Sequence, residues 1–373
     1  MKIILDVMSG DNAPIELIRG ASLAADEYHA EIVIVGREEI IRRVSKDEKI
    51  DISKLKIVNA PDVITMDDNP LVVVRGKPES SMSVGLHLLA DGKGDAFVSA
   101  GNTGALLAGA TLIVRRIKGI QRAGIATVLP LSNPVLLMDA GANLEVNANN
   151  LEQFAFMGSK YMEKILDVKN PRVGLLNNGT ESGKGLPLQR EAFVQLSDAE
   201  VNFVGNVEAK SIPLDACDVI VTDGFTGNIV LKYTEGMAKF MMMTLKDLFY
   251  TNAITKVSAL TMKKPLQNLK RSFDASEYGG APILGISKPV IKAHGSSDAK
   301  AIKNAIRQAI EFSASGLNRD ISRFAIDYDD RMKERAKLRK LMAKMQEKAE
   351  KAEQKRKEKE EKAAKKERKE QKD

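Results

Sequence analysis

Six clusters of small and polar residues mark where this sequence could do chemistry: Asp6–Asn12, Gly101–Gly104, Asp139–Asn143, Asn177–Gly185, Gly205–Asn206 and Asp223–Asn228. Each follows a short apolar run, and helical patterns begin at Thr103, Thr226 and Ser296. A helix start offers unpaired backbone N–H groups and the positive end of the helix dipole, so these crests predict anion binding, with phosphate the natural guest. Singly they are ordinary turn and cap residues. As a set they predict one shared cleft.

Other chemistries find no footing. Gly179-Thr-Glu-Ser-Gly-Lys-Gly185 is one residue short of a Walker A loop, and Gly185 stands where a magnesium-holding Ser or Thr belongs. The first strand runs into Asp6-Val-Met-Ser-Gly-Asp-Asn12, without the G-x-G-x-x-G of a dinucleotide site. His29, His87 and His294 are scattered, so no metal and no cofactor is expected. Cys217 enters a predicted buried strand and reads as a small core hydrophobe. With no Gly-x-Ser-x-Gly elbow, a covalent acyl-enzyme has no support either.

The net charge of +7 is unevenly spread. Residues 331–373 hold 19 Lys/Arg against 10 Asp/Glu, leaving 38 against 40 in residues 1–330. The basicity belongs to the tail, and with no tryptophan to stack on bases, nucleic acid is not expected as a partner. One cysteine allows no internal disulfide, and Asp6 interrupts any apolar leader, which predicts a cytoplasmic protein. The longest uncharged apolar stretch, Ala105–Val114, falls short of the roughly 20 residues that span a bilayer.

The elements that must position the crests follow from the apolar runs. Lys2–Leu5, Glu31–Val35, Leu55–Asn59, Ala96–Ser99, Ile125–Leu129, Val135–Met138, Val173–Leu176, Val201–Val204 and Val219–Thr222 alternate with helical patterns, the signature of a mostly parallel sheet covered by helices. In such a sheet the crests lie along one edge, at the carboxyl ends of the strands. A helical hairpin is predicted over about 235–275, with arms Thr226–Phe249 and Ala253 to about Ser272. Its second arm sets Ile254, Val257, Leu260 and Met262 beside Lys256, Lys263, Lys264, Lys270 and Arg271, which suits a membrane interface or a partner subunit equally. One domain over 1–330 is expected, then a charged tail over 331–373 that can bury no core.

Several segments together resemble the bacterial phosphate acyltransferase (PlsX) family of phospholipid synthesis: Ser99-Ala-Gly-Asn-Thr-Gly-Ala105, Arg116-Ile-Lys-Gly-Ile120, Arg172-Val-Gly-Leu-Leu-Asn177 with Gly179-Thr-Glu181, Phe203-Val-Gly-Asn-Val-Glu-Ala209, Val221-Thr-Asp-Gly-Phe-Thr-Gly-Asn228, Tyr278-Gly-Gly-Ala281 and Ile291-Lys-Ala-His-Gly-Ser-Ser-Asp298. They occur in order, from the first strand to about Gly316. The family's opening motif usually reads Asp-Ala-Met-Gly-Gly-Asp, so Val7 and Ser9 are departures. The resemblance implies an αβα sandwich like the isocitrate and isopropylmalate dehydrogenases and related to phosphotransacetylases, assembled as a homodimer. It implies acyl-acyl carrier protein and inorganic phosphate as substrates. The acyl phosphate product would pass to a membrane glycerol-3-phosphate acyltransferase, which places the protein at the inner face of the cell membrane.

For that reaction phosphate is itself the nucleophile, so the protein must position it and stabilise the oxyanion. The residues assigned to catalysis are Lys184, Asn228 and His294, the last as a general base or, equally, a structural hydrogen-bonder at a helix start. Substrate contacts are assigned to Gly101, Asn102, Thr103, Gly104, Thr180, Glu181, Asp223, Thr226, Gly227, Ser296 and Ser297. Asp6, Asp139 and Asp223 would repel phosphate if unpaired, so partners are expected for them. An acidic carrier calls for a basic docking face, for which Arg115, Arg116 and Lys118 join the hairpin lysines, and the same lysines would favour anionic lipid. Competing readings are a coenzyme A-dependent phosphotransacylase, a decarboxylating dehydrogenase and a non-catalytic membrane-surface scaffold.

Overall fold

The computed structural model describes residues 1–334, apart from 130, 132, 253, 254, 256, 259–261, 273–276 and 278, and beyond them only 337, 344, 345, 348 and 351. No side chain is described at 267, 268 or 270–272. The chain divides into two units, Met1–Ser322 and Arg323–Asp373; the second is helical over 323–334.

The expected runs form β1 (Lys2–Asp6), β2 (Glu31–Gly36), β3 (Leu55–Asn59), β4 (Ala96–Ser99), β5 (Gly124–Leu129), β6 (Val135–Met138), β7 (Arg172–Asn177), β8 (Asn202–Glu208) and β9 (Val219–Val221). Residues such as Ile3, Ile4 and Leu5 of β1 or Val219, Ile220 and Val221 of β9 are wholly buried, as strands covered on both faces require. Two short strands were not foreseen, β10 (Ala281–Leu284) and β11 (Val290–Lys292). All join one sheet in the order β3-β2-β1-β4-β11-β10-β5-β6-β9-β7-β8. Helices Ile15–Tyr28 and Ala299–Ala314 pack on each other so closely that a methyl on Gly20 would meet Ile302 Cβ at 2.7 Å.

Strand directions correct one expectation. β3, β2, β1, β4 and β11 run parallel, and so do β6, β9, β7 and β8. Between the two blocks, the β11/β10, β10/β5 and β5/β6 pairings are all antiparallel. Three reversals leave the blocks pointing opposite ways. The crests after β1, β4 and β11 therefore leave one edge of the sheet, while those after β6, β7 and β9 leave the other. A second correction concerns Gly205–Asn206, which lies inside β8 rather than after it, beside a register shift against Val173 and Gly174.

What reunites the two edges is the helix Gly224–Tyr250, which starts beyond β9 and contacts β6 and β5. Asp223 caps it, Oδ1 accepting the Thr226 N–H at 2.8 Å and Oδ2 the Thr226 hydroxyl at 2.8 Å. Gly227 is obligatory, since a Cβ there would sit 1.9 Å from the Asp139 carbonyl oxygen. At 27 residues the helix is about 40 Å long, and nothing on it is buried beyond Ala238. Phe225, Ile229, Tyr233, Met237, Phe240, Met241 and Leu248 form an exposed apolar stripe at helical spacing. The predicted second arm is helical over Lys263–Ser272, with Val257, Met262, Lys263 and Lys264 exposed. Ile254, Lys256 and Leu260 lie outside the described residues, as do the side chains of Lys270 and Arg271. Among the described residues, no helix is long and apolar enough to cross a membrane.

Candidate active site

A cleft of about 630 Å³ crosses the middle of the sheet. From the β4 crest it receives Gly101 and Thr103, and from the β11 crest His294, Gly295, Ser296 and Ser297. The long helix contributes Asn228, Leu231, Lys232 and Glu235. At ~1.5 Å per residue, Asn228 to Glu235 covers about 10 Å, which carries the wall from one sheet edge towards the other. Ile125, Thr127, Val128 and Ala140 make an apolar side, and Lys292 reaches in from the end of β11.

Hydrogen bonds lock the crests to one another. The Asp11 N–H donates to the Gly295 carbonyl at 2.8 Å, and Asn12 Nδ2 donates to the carbonyls of Ser296 and Ser297 at 3.0 and 3.2 Å. This approach needs Gly10, whose φ is +124° and whose Cβ would fall 3.0 Å from Ala100 Cβ. The three acids all have partners, as expected. Asp6 accepts from the Met8 N–H and the Ser99 hydroxyl. Asp139 accepts from the N–H groups of Ile125, Gly141, Ala142 and Asn143 and from Asn143 Nδ2. Burial nonetheless pushes the Asp139 carboxyl up, against the pull of those donors. Asp223 is spent on its cap.

The same accounting limits the helix starts. Asn102 Oδ1 accepts the Ala105 N–H, while its Nδ2 holds the carbonyls of Thr65, Met66 and Asp68; Asn102 is a buried cap and loop clamp. Asp298, rather than Ser296 or Ser297, caps the helix Ala299–Ala314. Glu16 takes the Ala299 N–H at 2.8 Å. Each of the three helix starts has thus already given at least one amide to a side chain.

His294 Nδ1 accepts the Ser296 N–H at 3.2 Å and lies 2.9 Å from Ser296 Oγ. A backbone N–H can only donate, so Nδ1 is the bare nitrogen and the neutral ring carries its proton on Nε2. In this tautomer His294 offers the cleft an Nε2–H donor. Asn228 is exposed, with its side chain against Gly141, and its amide has no hydrogen-bond partner among the described residues.

Lys184, Thr180 and Glu181 do not line the cleft. Their crest, after β7, leaves the same sheet edge as the β9 crest before Asn228 but closes on itself. The Lys184 N–H donates to the Glu181 carbonyl at 3.1 Å, Asn177 Nδ2 donates to the Lys184 carbonyl at 3.2 Å, and Asn206 Nδ2 donates to the Glu181 carbonyl at 2.8 Å. The Lys184 side chain is exposed. Gly104 packs under Pro70, and Thr226 and Gly227 serve the helix start. Of the proposed docking residues, Arg116 Nη1 is held by the Gln121 carbonyl at 2.6 Å. Cys217 is buried with its thiol pushed up to about 12 by desolvation, which fits a core residue.

Two cleft lysines, Lys232 and Lys292, received no role from the sequence alone. Lys232 lies four residues after Asn228, on the same face of a predicted helix, a spacing that would have found it. Lys292 carried a weaker signal, a lysine inside the apolar run Val290-Ile-Lys-Ala293.

The family model described as fatty acid synthesis protein matches residues 1–319. A phosphate acyltransferase of Clostridioides difficile is 44% identical, covering 89% of this chain and 98% of that protein. One of Thermoanaerobacter pseudethanolicus is 48% identical over 84% of this chain and 93% of its own. Among solved structures, a phosphotransacetylase from Streptococcus pyogenes superposes with a TM-score of 0.56 at 20% identity, over 84% of this chain and 94% of that one. A branched-chain phosphotransacylase from Enterococcus faecalis gives 0.52 at 15% identity, over 84% and 100%. At these identities the likeness is one of fold, and it bears out the expected α/β architecture shared with phosphotransacetylases.

Proposed function

The chain belongs to the fatty acid synthesis protein family and is an acyltransferase, and on that premise we propose that it moves a fatty acyl group from acyl-acyl carrier protein to inorganic phosphate. The observation that carries this reading is the composition of the cleft, in which an apolar side faces the donors of Thr103, Asn228, His294, Ser296 and Ser297. Its volume lies within the ~300–1,000 Å³ typical of small-molecule sites.

In the proposed step a hydrogenphosphate oxygen attacks the thioester carbonyl. The new C–O bond forms as the C–S bond breaks, and the phosphate proton ends on the departing thiol. No enzyme nucleophile is consumed. We assign the Asn228 amide and the His294 Nε2–H as donors to the oxygen that gains charge, which is where preorganised donors act. Lys184, on its exposed crest, is read as a cation that meets the acidic carrier outside the cleft.

We read the exposed stripe of the long helix and the Val257–Lys264 segment as covered surfaces, the stripe by a second copy of the chain and the segment by anionic lipid. That makes the protein a cytoplasmic homodimer bound to the inner membrane face, where acyl phosphate can pass to a membrane acyltransferase. The exposed Val257 and Met262 beside the exposed Lys263 and Lys264 support the lipid contact. Flotation with anionic vesicles should fall sharply in a Val257→Glu, Met262→Glu double variant; equal flotation would remove lipid from the reading.

The reaction is tested by mixing the protein with palmitoyl carrier protein and phosphate, then measuring free carrier thiol and acyl phosphate trapped by hydroxylamine. Both should appear in equal amounts and only with phosphate. Thiol release without phosphate would mark a thioesterase, and preference for a coenzyme A thioester would replace the carrier.

A further inference from the structure

The cleft contains two ammonium groups, and their surroundings differ. Lys232 is paired with Glu235 at 2.8 Å on its own helix. Lys292 has no carboxylate within ion-pair distance among the described residues. Its Nζ donates to the Ala293 carbonyl and, at 3.5 Å, to that of Ala100. It is half-buried at the end of β11, which sits between β4 and β10 near the middle of the sheet. An ammonium has three donors and favours an anion, yet here it is offered only neutral oxygens. The same cleft is lined by Thr103, Ser296 and Ser297 from two crests and by Asn228 from the long helix.

We propose that Lys292 anchors the nucleophilic phosphate, its ammonium supplying the cation that the partly spent helix starts lack. This rests on the acyl-transfer reading above and names the residue that holds its second substrate. Phosphate oxygens would complete the Lys292 donors while Asn228 and His294 face the thioester.

Titration agrees with the geometry. Burial brings the Lys292 ammonium down to about 8, with Asp11 raising it and Lys232 lowering it. The charged groups that act on it are Asp11 of the β1 crest and Lys232 of the long helix, and Glu235 of that helix, His294 of its own crest and Asp298 at the following helix are the other titratable groups lining the cleft. The β4 crest presents none. A bound dianion favours the charged lysine, so the contribution of Lys292 to phosphate affinity is full below about pH 8 and declines above it.

The test compares wild type, Lys292→Met and Lys292→Arg. KM for phosphate and kcat are measured across pH, alongside the rise in melting temperature that inorganic phosphate produces. In Lys292→Met, KM for phosphate should rise roughly 10–100-fold, the scale of one hydrogen bond to a charged group. The alkaline fall near pH 8 and the phosphate-induced melting shift should both disappear. Lys292→Arg should recover part of the phosphate affinity and lose the alkaline fall, since guanidinium does not titrate there. A Met variant with wild-type KM and an intact melting shift overturns the anchor. If wild type makes no acyl phosphate, the reaction reading fails, and the melting shifts still decide the anchor.

Discussion

Lys292 and Lys184 both stand at the ends of strands in the sheet, and both carry the charge a phosphate site needs. Their surroundings separate them. Lys292 ends a central strand, faces a cleft walled by a helix and two crests, and meets only backbone carbonyls. Lys184 rides on a glycine-rich turn after β7, one strand from the sheet edge, where it is exposed. The turn bonds internally through Glu181, Asn177 and Asn206. A cation gains most from an anion where water is already excluded, because the local dielectric is low. What stands opposite a crest, rather than its own glycines, decides how far it shields a cation from water.

The largest expected effect breaks the cleft side of this comparison. In Gly227→Ala the added methyl meets the Asp139 carbonyl at 1.9 Å, against rigid backbone, so the helix start must leave the β6 crest. Overpacking of this kind costs about 1–3 kcal/mol or more. At roughly 2–4 °C per kcal/mol, the melting temperature should drop by about 2–12 °C. Activity should fall with it, as Asn228 and Lys232 move together. A variant that melts and turns over like wild type would mean that the crest yields, and that the cleft wall is not fixed there.

Next comes Asn228→Ala, which leaves the backbone in place and removes one donor. If Asn228 serves the developing oxyanion, kcat should fall about 10²–10³-fold with KM for phosphate little changed, opposite to the pattern expected at Lys292. A rise in KM for phosphate at constant kcat would make Asn228 a second phosphate ligand instead.

The contrast between the two lysines also shows what could be read without coordinates. Strands β1 to β9 announced themselves because each is a Val/Ile/Leu run bounded by turn residues. Strands β10 and β11 did not, being three or four residues long with Pro282 inside one and Pro289 before the other. Missing them left Lys292 without a place in the sheet and hid two of the three antiparallel pairings that turn the two blocks against each other; the third joins β5 and β6, whose direction residue type does not reveal. The crests were found, but their assignment to one edge assumed a uniformly parallel sheet. Asp298 as a cap and Asn102 as a clamp on residues 65–68 depend on partners distant in sequence or on exact backbone geometry. Residue type alone could not tell them from ligands.

A smaller effect is expected at Lys184. An exposed cation on a rim acts mainly through long-range attraction, which salt screens. Lys184→Ala should lower kcat/KM for the acyl carrier by about tenfold or less, with the loss shrinking at high salt and KM for phosphate unchanged. If KM for phosphate rises as in Lys292→Met, Lys184 reaches the phosphate and the two crests share one task.

The smallest effect sharpens the comparison most cheaply. Gly183 precedes Lys184, has no heavy atom within 4 Å of where its Cβ would be, and does not occupy the left-handed region. Alanine there meets nothing and narrows the unfolded ensemble, so stability should stay level or rise by about 0.4–1 kcal/mol. On the cleft side the same one-carbon change at Gly227 is expected to be costly, so the pair of variants measures how differently two glycine crests are packed. Activity is the decisive readout for Gly183→Ala. An open turn that never closes on substrate should give wild-type kcat/KM for both substrates. A several-fold loss without any loss of stability would mean that the β7 crest folds onto bound acyl carrier, bringing Lys184 to the reaction after all.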